Sequence, residues 1–233
     1  MTQHIGIVAC SAEGAALCYR TICSEGSQWL GAFGHPEVSM HTPSLSRYLA
    51  CIDSDDWPGV AALMLDSAHR LAAAGADFLI CPDNTIHQAM PWVARASPLP
   101  WLHIAEVAAE EALRRGYRTL GLTGTRWLVD SNVYPQALEK HALTWLRPLP
   151  DERDAMSAII MQELVAGIFT PTSTEVFRRA IARMQSAGCD AVVLGCTEIP
   201  LIIDDSNSPL PTLDSTRLLA RAALRRAVTP QRN

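Results

Sequence analysis

Short, almost unbroken apolar runs recur along this chain, separated by longer stretches in which apolar residues return every third or fourth position. The first pattern suits strands covered on both faces, the second helices with one buried side. Strands are expected over residues 4–9, near 38–40, and over 78–80, 99–104, 119–122, 144–146, 191–194 and 209–213. Helices are expected over 15–22, 58–74, 105–115, near 132–141, near 151–165 and 173–187, and over 215–227, with a short one interrupted by Pro91. Asp56 before Trp57-Pro58 marks a helix start, the proline sitting where its missing N–H costs nothing. Gly75 and Gly116 stop their helices as C-terminal caps do, and Asp214 or Ser215 can cap the last one. Residues 31–43 read as a loop around their short strand. Strands alternating with helices predict an α/β protein built on parallel sheets.

The pattern also restarts. Ala74–His87 (AGADFLICPDNTIH) and Ala187–Pro200 (AGCDAVVLGCTEIP) align without a gap, so that Gly75 matches Gly188 and Asp77 matches Asp190. The same alignment sets Asp83 against Cys196, Asn84 against Thr197 and Thr85 against Glu198. The opening strand has a counterpart in residues 119–122, followed by Thr123-Gly124-Thr125. Near-equal offsets for both stretches predict an internal duplication into two similar α/β domains related by a pseudo-twofold; if the halves face each other, Asp83 and Cys196 flank a single cleft, an active site at their interface. The last strand and helix follow the second cycle and are expected to return to the first. That gives domains of 1–103 plus 210–233, and of 104–209.

Composition narrows the class. At 48% hydrophobic and 18% charged over 233 residues, the chain is an ordinary globular one with enough length for two cores. A net charge of -5 with scattered basic residues points away from nucleic acid, and no apolar run is long enough to span a bilayer. The start, MTQHIGIVACS, runs directly into a strand without a charged leader, so a cytoplasmic location is expected. The seven cysteines show no CxxC pair or zinc spacing, so reduced thiols are expected; all but Cys196 read as packing residues. No cofactor is expected. Metal-ligand spacing is missing, and Lys140, the sole lysine for a Schiff base, is far in sequence from either motif.

In open parallel sheets, chemistry sits at the carboxyl ends of strands, where Asp83 and Cys196 both fall. A carboxylate and a thiol on opposite sides of one cleft suit removal of a proton from one face of a carbon and delivery to the other. Cysteine serves when helix N-termini or hydrogen-bond donors lower its pKa from about 8.5. Backbone N–H groups after each strand, with Asn84, Thr85, Thr125 and Thr197, can hold a carboxylate or oxyanion. Glu198 reads either as a second acid/base group or as an anchor that accepts backbone N–H bonds. His87 reads as a helix-start or supporting residue.

These residues carry a resemblance. IGIVACSAEGAALCYR, GADFLICPDNTIH, PWLHIAE, LGLTGT, and above all LGCTEIPLII followed by PTLDST, resemble the aspartate/glutamate racemase superfamily over nearly the whole chain. The resemblance implies two similar α/β domains, no cofactor, and two acid/base groups at the domain interface. Cys196 corresponds to the second family cysteine, whereas Asp83 stands where the family has its first. Asn84 and Thr85 would then bind the α-carboxylate, with Ser11, Thr125, Thr197 and Glu198 around the substrate, and Arg47 would meet a distal carboxylate.

The function expected is cofactor-independent racemisation or epimerisation of an amino acid, an acidic one first, by proton transfer at Cα. Asp83 adds negative charge beside an anionic substrate and breaks the thiol/thiolate symmetry. Two alternatives stand beside it: a one-cysteine decarboxylase or isomerase of a related acid, and a non-catalytic carboxylate-binding homologue. The partners expected are a small carboxylate or amino acid, no nucleic acid and no membrane, with a homodimer as the assembly to test.

Overall fold

The computed structural model describes residues 2–229, which divide into two compact units: 2–104 with 216–229, and 105–215. Each unit contains a four-stranded, fully parallel sheet.

In the first unit the strands are β1 (Ile5–Val8), β2 (Val38–His41), β3 (Phe78–Ile80) and β4 (Trp101–Leu102), in the spatial order β2-β1-β3-β4. β1 and β3 are buried at every position, as their unbroken apolar runs require. Helices α1 (Ala12–Leu30), α2 (Leu45–Asp53), α3 (Trp57–Ala73), α4 (Met90–Ala96) and the start of α5 (Ile104–Arg114) provide the crossovers. Ser11 caps α1 by accepting from Gly14 N–H at 3.2 Å, and Asp56 caps α3 by accepting from Gly59 N–H at 2.9 Å.

The second unit repeats the plan. Its strands β5 (Thr119–Thr123), β6 (Thr144–Leu146), β7 (Ala191–Leu194) and β8 (Thr212–Asp214) lie in the order β6-β5-β7-β8. They are connected by α6 (Arg126–Val129), α7 (Val133–Lys140), α8 (Pro150–Gln162) and α9 (Pro171–Ser186). Phe177, Ile181 and Met184 of α9 pack with Met156 and Ile160 of α8 and with Val192 and Leu194 of β7.

The repeated Ala-Gly-x-Asp signal has one physical cause in both units. Gly75 and Gly188 take left-handed φ values of 91° and 98° just after α3 and α9, where a side chain would be strained. Asp77 then accepts from His4 N–H at 2.7 Å, and Asp190 from Arg118 and Thr119 N–H at 2.7 and 3.1 Å. Each aspartate thereby pins the start of the strand beside its own.

Three expectations need correction. The final strand was assigned with the first half, but β8 pairs with β7 (Val192↔Thr212, Val193↔Leu213, Leu194↔Asp214) and completes the second sheet. Only α10 (Ser215–Val228) joins the first unit. There Arg221 pairs with Glu25 at 2.8 Å, Arg226 lies 4.5 Å over the Phe78 ring, and Gln3 N–H donates to Ala227 O at 2.9 Å. The outer ends of the expected first domain, residue 1 and residues 230–233, lie outside the described residues. Helix α1 extends to Leu30, well past its expected end at residue 22. Gly26 lies within it. A Cβ there would meet Gly34 O at 2.8 Å, so the glycine admits the returning loop while the helix continues. Helix α2 was not expected at all. Its buried residues are Tyr48 and Ile52, spaced one turn apart.

Candidate active site

Each expected motif occupies the turn after a central strand of its unit. In the first unit, β3 runs into Cys81-Pro82-Asp83-Asn84 and then a tight 3-10 turn over Thr85–Ala89. Asp83 is half-buried, and its Oδ1 accepts from Ile86 N–H at 3.2 Å. Its carbonyl accepts from Nδ1 of His87 at 2.7 Å. Because Ile104 N–H donates to Nε2 of the same ring at 3.3 Å, the imidazole carries its proton on Nδ1 and is neutral. Burial, with His103 stacked edge-on at 4.6 Å, pushes the His87 pKa well below its ordinary value. His87 therefore braces the turn and does not carry protons. Asn84 is buried and its carbonyl accepts from His87 N–H at 3.3 Å; Thr85 is half-buried.

Around Asp83 lie Cys10 and Cys81, which the sequence reading took as packing residues, and Tyr48, which it did not single out. Burial first, then the charge of the Asp83 carboxylate, pushes the Cys10 thiol pKa far up. Cys81 is likewise pushed up, chiefly by burial. Tyr48 of α2 is fully buried beside Cys81, Cys10 and Asp83. Among the described residues its hydroxyl has no hydrogen-bond partner, although Ser67 is close; the Ser67 hydroxyl is engaged with Leu63 O at 3.1 Å and His41 Nδ1 at 2.9 Å. The missed signal for Tyr48 is its place one turn before Ile52, on the face that packs inward. Arg47 is the preceding residue. It is exposed, and the carboxylate that feels its charge is Asp66 of α3. Ser11 is the α1 cap already described.

In the second unit, β7 runs into Gly195-Cys196-Thr197-Glu198 and a 3-10 turn over Ile199–Leu201. Gly195 is a glycine because of close approach: its N–H donates to Thr123 O at 3.0 Å, and a Cβ would sit 2.5 Å from that same oxygen. Cys196 is half-buried against the α8–α9 core, and its thiol donates to Oε2 of Glu198 at 2.9 Å. The Thr197 hydroxyl donates to the same oxygen at 2.7 Å. Thr197 is 7% and Glu198 5% exposed, so this carboxylate is held by neighbouring side chains in a largely dry turn. Thr125, buried just before α6, follows the end of β5, the strand paired with β7 up to Thr123↔Leu194. Glu198 thus accepts from a thiol and a hydroxyl through one oxygen.

The chain belongs to the Asp/Glu/hydantoin racemase family, whose model matches residues 7–223. It is 25% identical to the broad specificity amino-acid racemase RacX of Bacillus subtilis over 74% of this chain and 73% of that one. It is 27% identical to the glutamate racemase of Thermus thermophilus over 66% of this chain and 57% of the relative. Among solved structures, an aspartate racemase homologue from Pyrococcus horikoshii OT3 superposes with a TM-score of 0.85 at 26% identity, covering 98% of this chain and all of that one. These relatives are isomerases by name.

Proposed function

We propose that this protein racemises an amino acid without a cofactor, using Cys196 and Asp83 as acid/base groups for opposite faces of Cα. The observation that supports this most is the Cys196–Glu198 hydrogen bond. A thiol that already donates to a carboxylate has a route to thiolate, the form that removes a proton. In one direction Glu198 takes the thiol proton, the Cys196 thiolate takes the Cα proton, and protonated Asp83 delivers its own to the other face. In the reverse direction Asp83 acts as carboxylate and the Cys196 thiol as acid. The net change is inversion at Cα, and the enzyme resets its proton distribution through solvent. Asn84, Thr85, Thr125, Thr197 and Ser11 are the proposed holders of the α-carboxylate, by hydrogen bonds that strengthen as enolate charge develops. Arg47 is the proposed contact for a distal carboxylate.

Aspartate and glutamate are the substrates proposed first. The Asp83 carboxylate weighs against them: two like charges about 4 Å apart cost roughly 1 kcal/mol in water and 4 kcal/mol near a protein surface. The test is a panel of L- and D-amino acids incubated with the protein in deuterium oxide. Racemisation gives exchange at Cα with inversion. Loss of substrate carboxylate would point instead to a decarboxylase, and neither change would point to a binding protein.

A further inference from the structure

The second unit leaves a run of apolar side chains uncovered where α8 connects to α9. Met161, Val165, Ile168 and Phe169 are 38%, 50%, 48% and 51% exposed. The segment that carries them is firmly built. Gly167 turns left-handed at φ 73°, its N–H donates to Leu164 O at 3.0 Å, and Ile168 N–H donates to Glu163 O at 2.9 Å. The Ser173 hydroxyl donates to the Glu163 carboxylate, and Thr170 caps α9 by accepting from Ser173 N–H at 3.0 Å. In a helix end closed this way, the residue in the place of Ile168 ordinarily packs back onto the helix. Here it stands half in solvent, on a rigid support, beside three other apolar side chains. Such clustering marks a binding surface.

The connection belongs to the Cys196 end of the unit. α8 begins beside the last turn of α9, where Glu152 pairs with Arg183 at 2.7 Å. It passes the carboxyl end of β5 at Ser157, whose hydroxyl accepts from Arg126 N–H at 3.2 Å. The rest of the helix, to Gln162, rises about 8 Å beyond that point. Leu164 and Phe177, on either side of the connection, belong to the core against which Cys196 packs. Leu201, 53% exposed, adds an apolar side chain from the 3-10 turn that follows Cys196. Charge narrows the occupant. Residues 155–177 contain no Arg, Lys or His, and the flanking arginines are engaged, Arg153 with Asp130 and Arg178 with Asn207 O at 2.9 Å. A carboxylate finds no cation on this rim. A few half-exposed side chains also fall well short of the ~800 Å² that each partner of a stable protein complex buries. Their extent suits one amino-acid side chain.

We propose that Val165, Ile168, Phe169 and Leu201 form a side-chain subsite of the second unit, and that amino acids with bulky apolar side chains, leucine and phenylalanine among them, are substrates beside the acidic pair. The proposal rests on the racemase reading and names a substrate class for the same site. The experiment measures kcat/KM for inversion of alanine, leucine, phenylalanine, aspartate and glutamate by wild type, Phe169→Ser and Phe169→Arg, with binding followed by calorimetry. In wild type, leucine and phenylalanine should exceed alanine by about tenfold or more, the discrimination an apolar pocket supplies. Phe169→Ser should remove most of that advantage, and Phe169→Arg should shift preference toward aspartate and glutamate by a similar factor. Phe33→Ser takes away an apolar side chain that is 98% exposed in the first unit, and it should keep the wild-type ratio. A leucine-to-alanine ratio near one in wild type overturns the proposal, as does a ratio that Phe169→Ser and Phe33→Ser leave alike. If the protein inverts nothing, the ratio is read in Kd. A preference for leucine that Phe169→Ser removes then keeps the subsite and defeats the racemase reading, whereas no preference defeats both.

Discussion

The thiol of Cys196 donates to the carboxylate of Glu198 at 2.9 Å, and the intervening Thr197 donates to the same oxygen at 2.7 Å. Three consecutive residues thus form a closed thiol–carboxylate–hydroxyl unit on one tight turn.

Removing either member should separate chemistry from binding. Cys196→Ala is expected to abolish inversion while leaving binding of a substrate carboxylate largely intact, as measured by calorimetry beside a racemisation assay. Glu198→Gln keeps the shape of the turn but removes the proton acceptor. It should lower kcat by about 10²–10⁴-fold, the range of a lost general acid or base, with KM changed little. A fall in KM affinity without a fall in kcat would instead make Glu198 a binding residue.

Asp83→Cys restores a thiol where the resemblance places one and removes a negative charge. Turnover of aspartate and glutamate is expected to rise, through KM by removal of repulsion and through kcat by better-matched bases. Steady-state kinetics of wild type and Asp83→Cys on both enantiomers measures this.

His87 is buried and neutral in the fold, so it resists protonation that the unfolded chain accepts. The unfolded state binds more protons below about pH 6.5, so stability should fall as pH drops from there toward the depressed folded value. His87→Asn removes that titration while retaining an amide donor for Asp83 O. Urea unfolding at pH 7 and pH 5 should show a smaller acid loss in the variant than in wild type, although the unpaired Ile104 N–H lowers its stability at both pH values by about 1–3 kcal/mol.

Glu111 provides a contrasting case in the second unit. Hydrogen bonds from Arg114 first, and Arg115 after, hold its carboxyl at about 2, below the ordinary value of 4.5. Its contribution is present above about pH 4.5 and is lost as pH falls through about 2. Glu111→Gln should therefore lower stability by about 1–2 kcal/mol at pH 7 and hardly at all near pH 2.

Much of this was legible before the structure, because glycine caps and pinned aspartates are local signals. The Ala-Gly-x-Asp repeat exposed the duplication through Gly75, Asp77, Gly188 and Asp190, and the strand-end positions of Asp83 and Cys196 followed from it. Partnership between distant strands was not local. β8 follows the second cycle and was assigned to the first sheet, because only the ladder with β7 reveals where a short terminal strand pairs. Cys10 looked like any small core residue until the Ile7↔Ile80 register set it beside Asp83. Tyr48 was hidden in a helix with only two buried residues.

The central claim, two groups for two faces, is tested most directly by deuterium capture at early conversion. A single enantiomer of the best substrate is incubated in deuterium oxide with wild type and with Asp83→Ala, and both enantiomer pools are analysed by mass and chirality. The account predicts that wild type forms product enantiomer carrying deuterium at Cα while the remaining substrate stays protiated. It predicts that Asp83→Ala forms almost no product enantiomer. Racemisation by Asp83→Ala at the wild-type rate would contradict it.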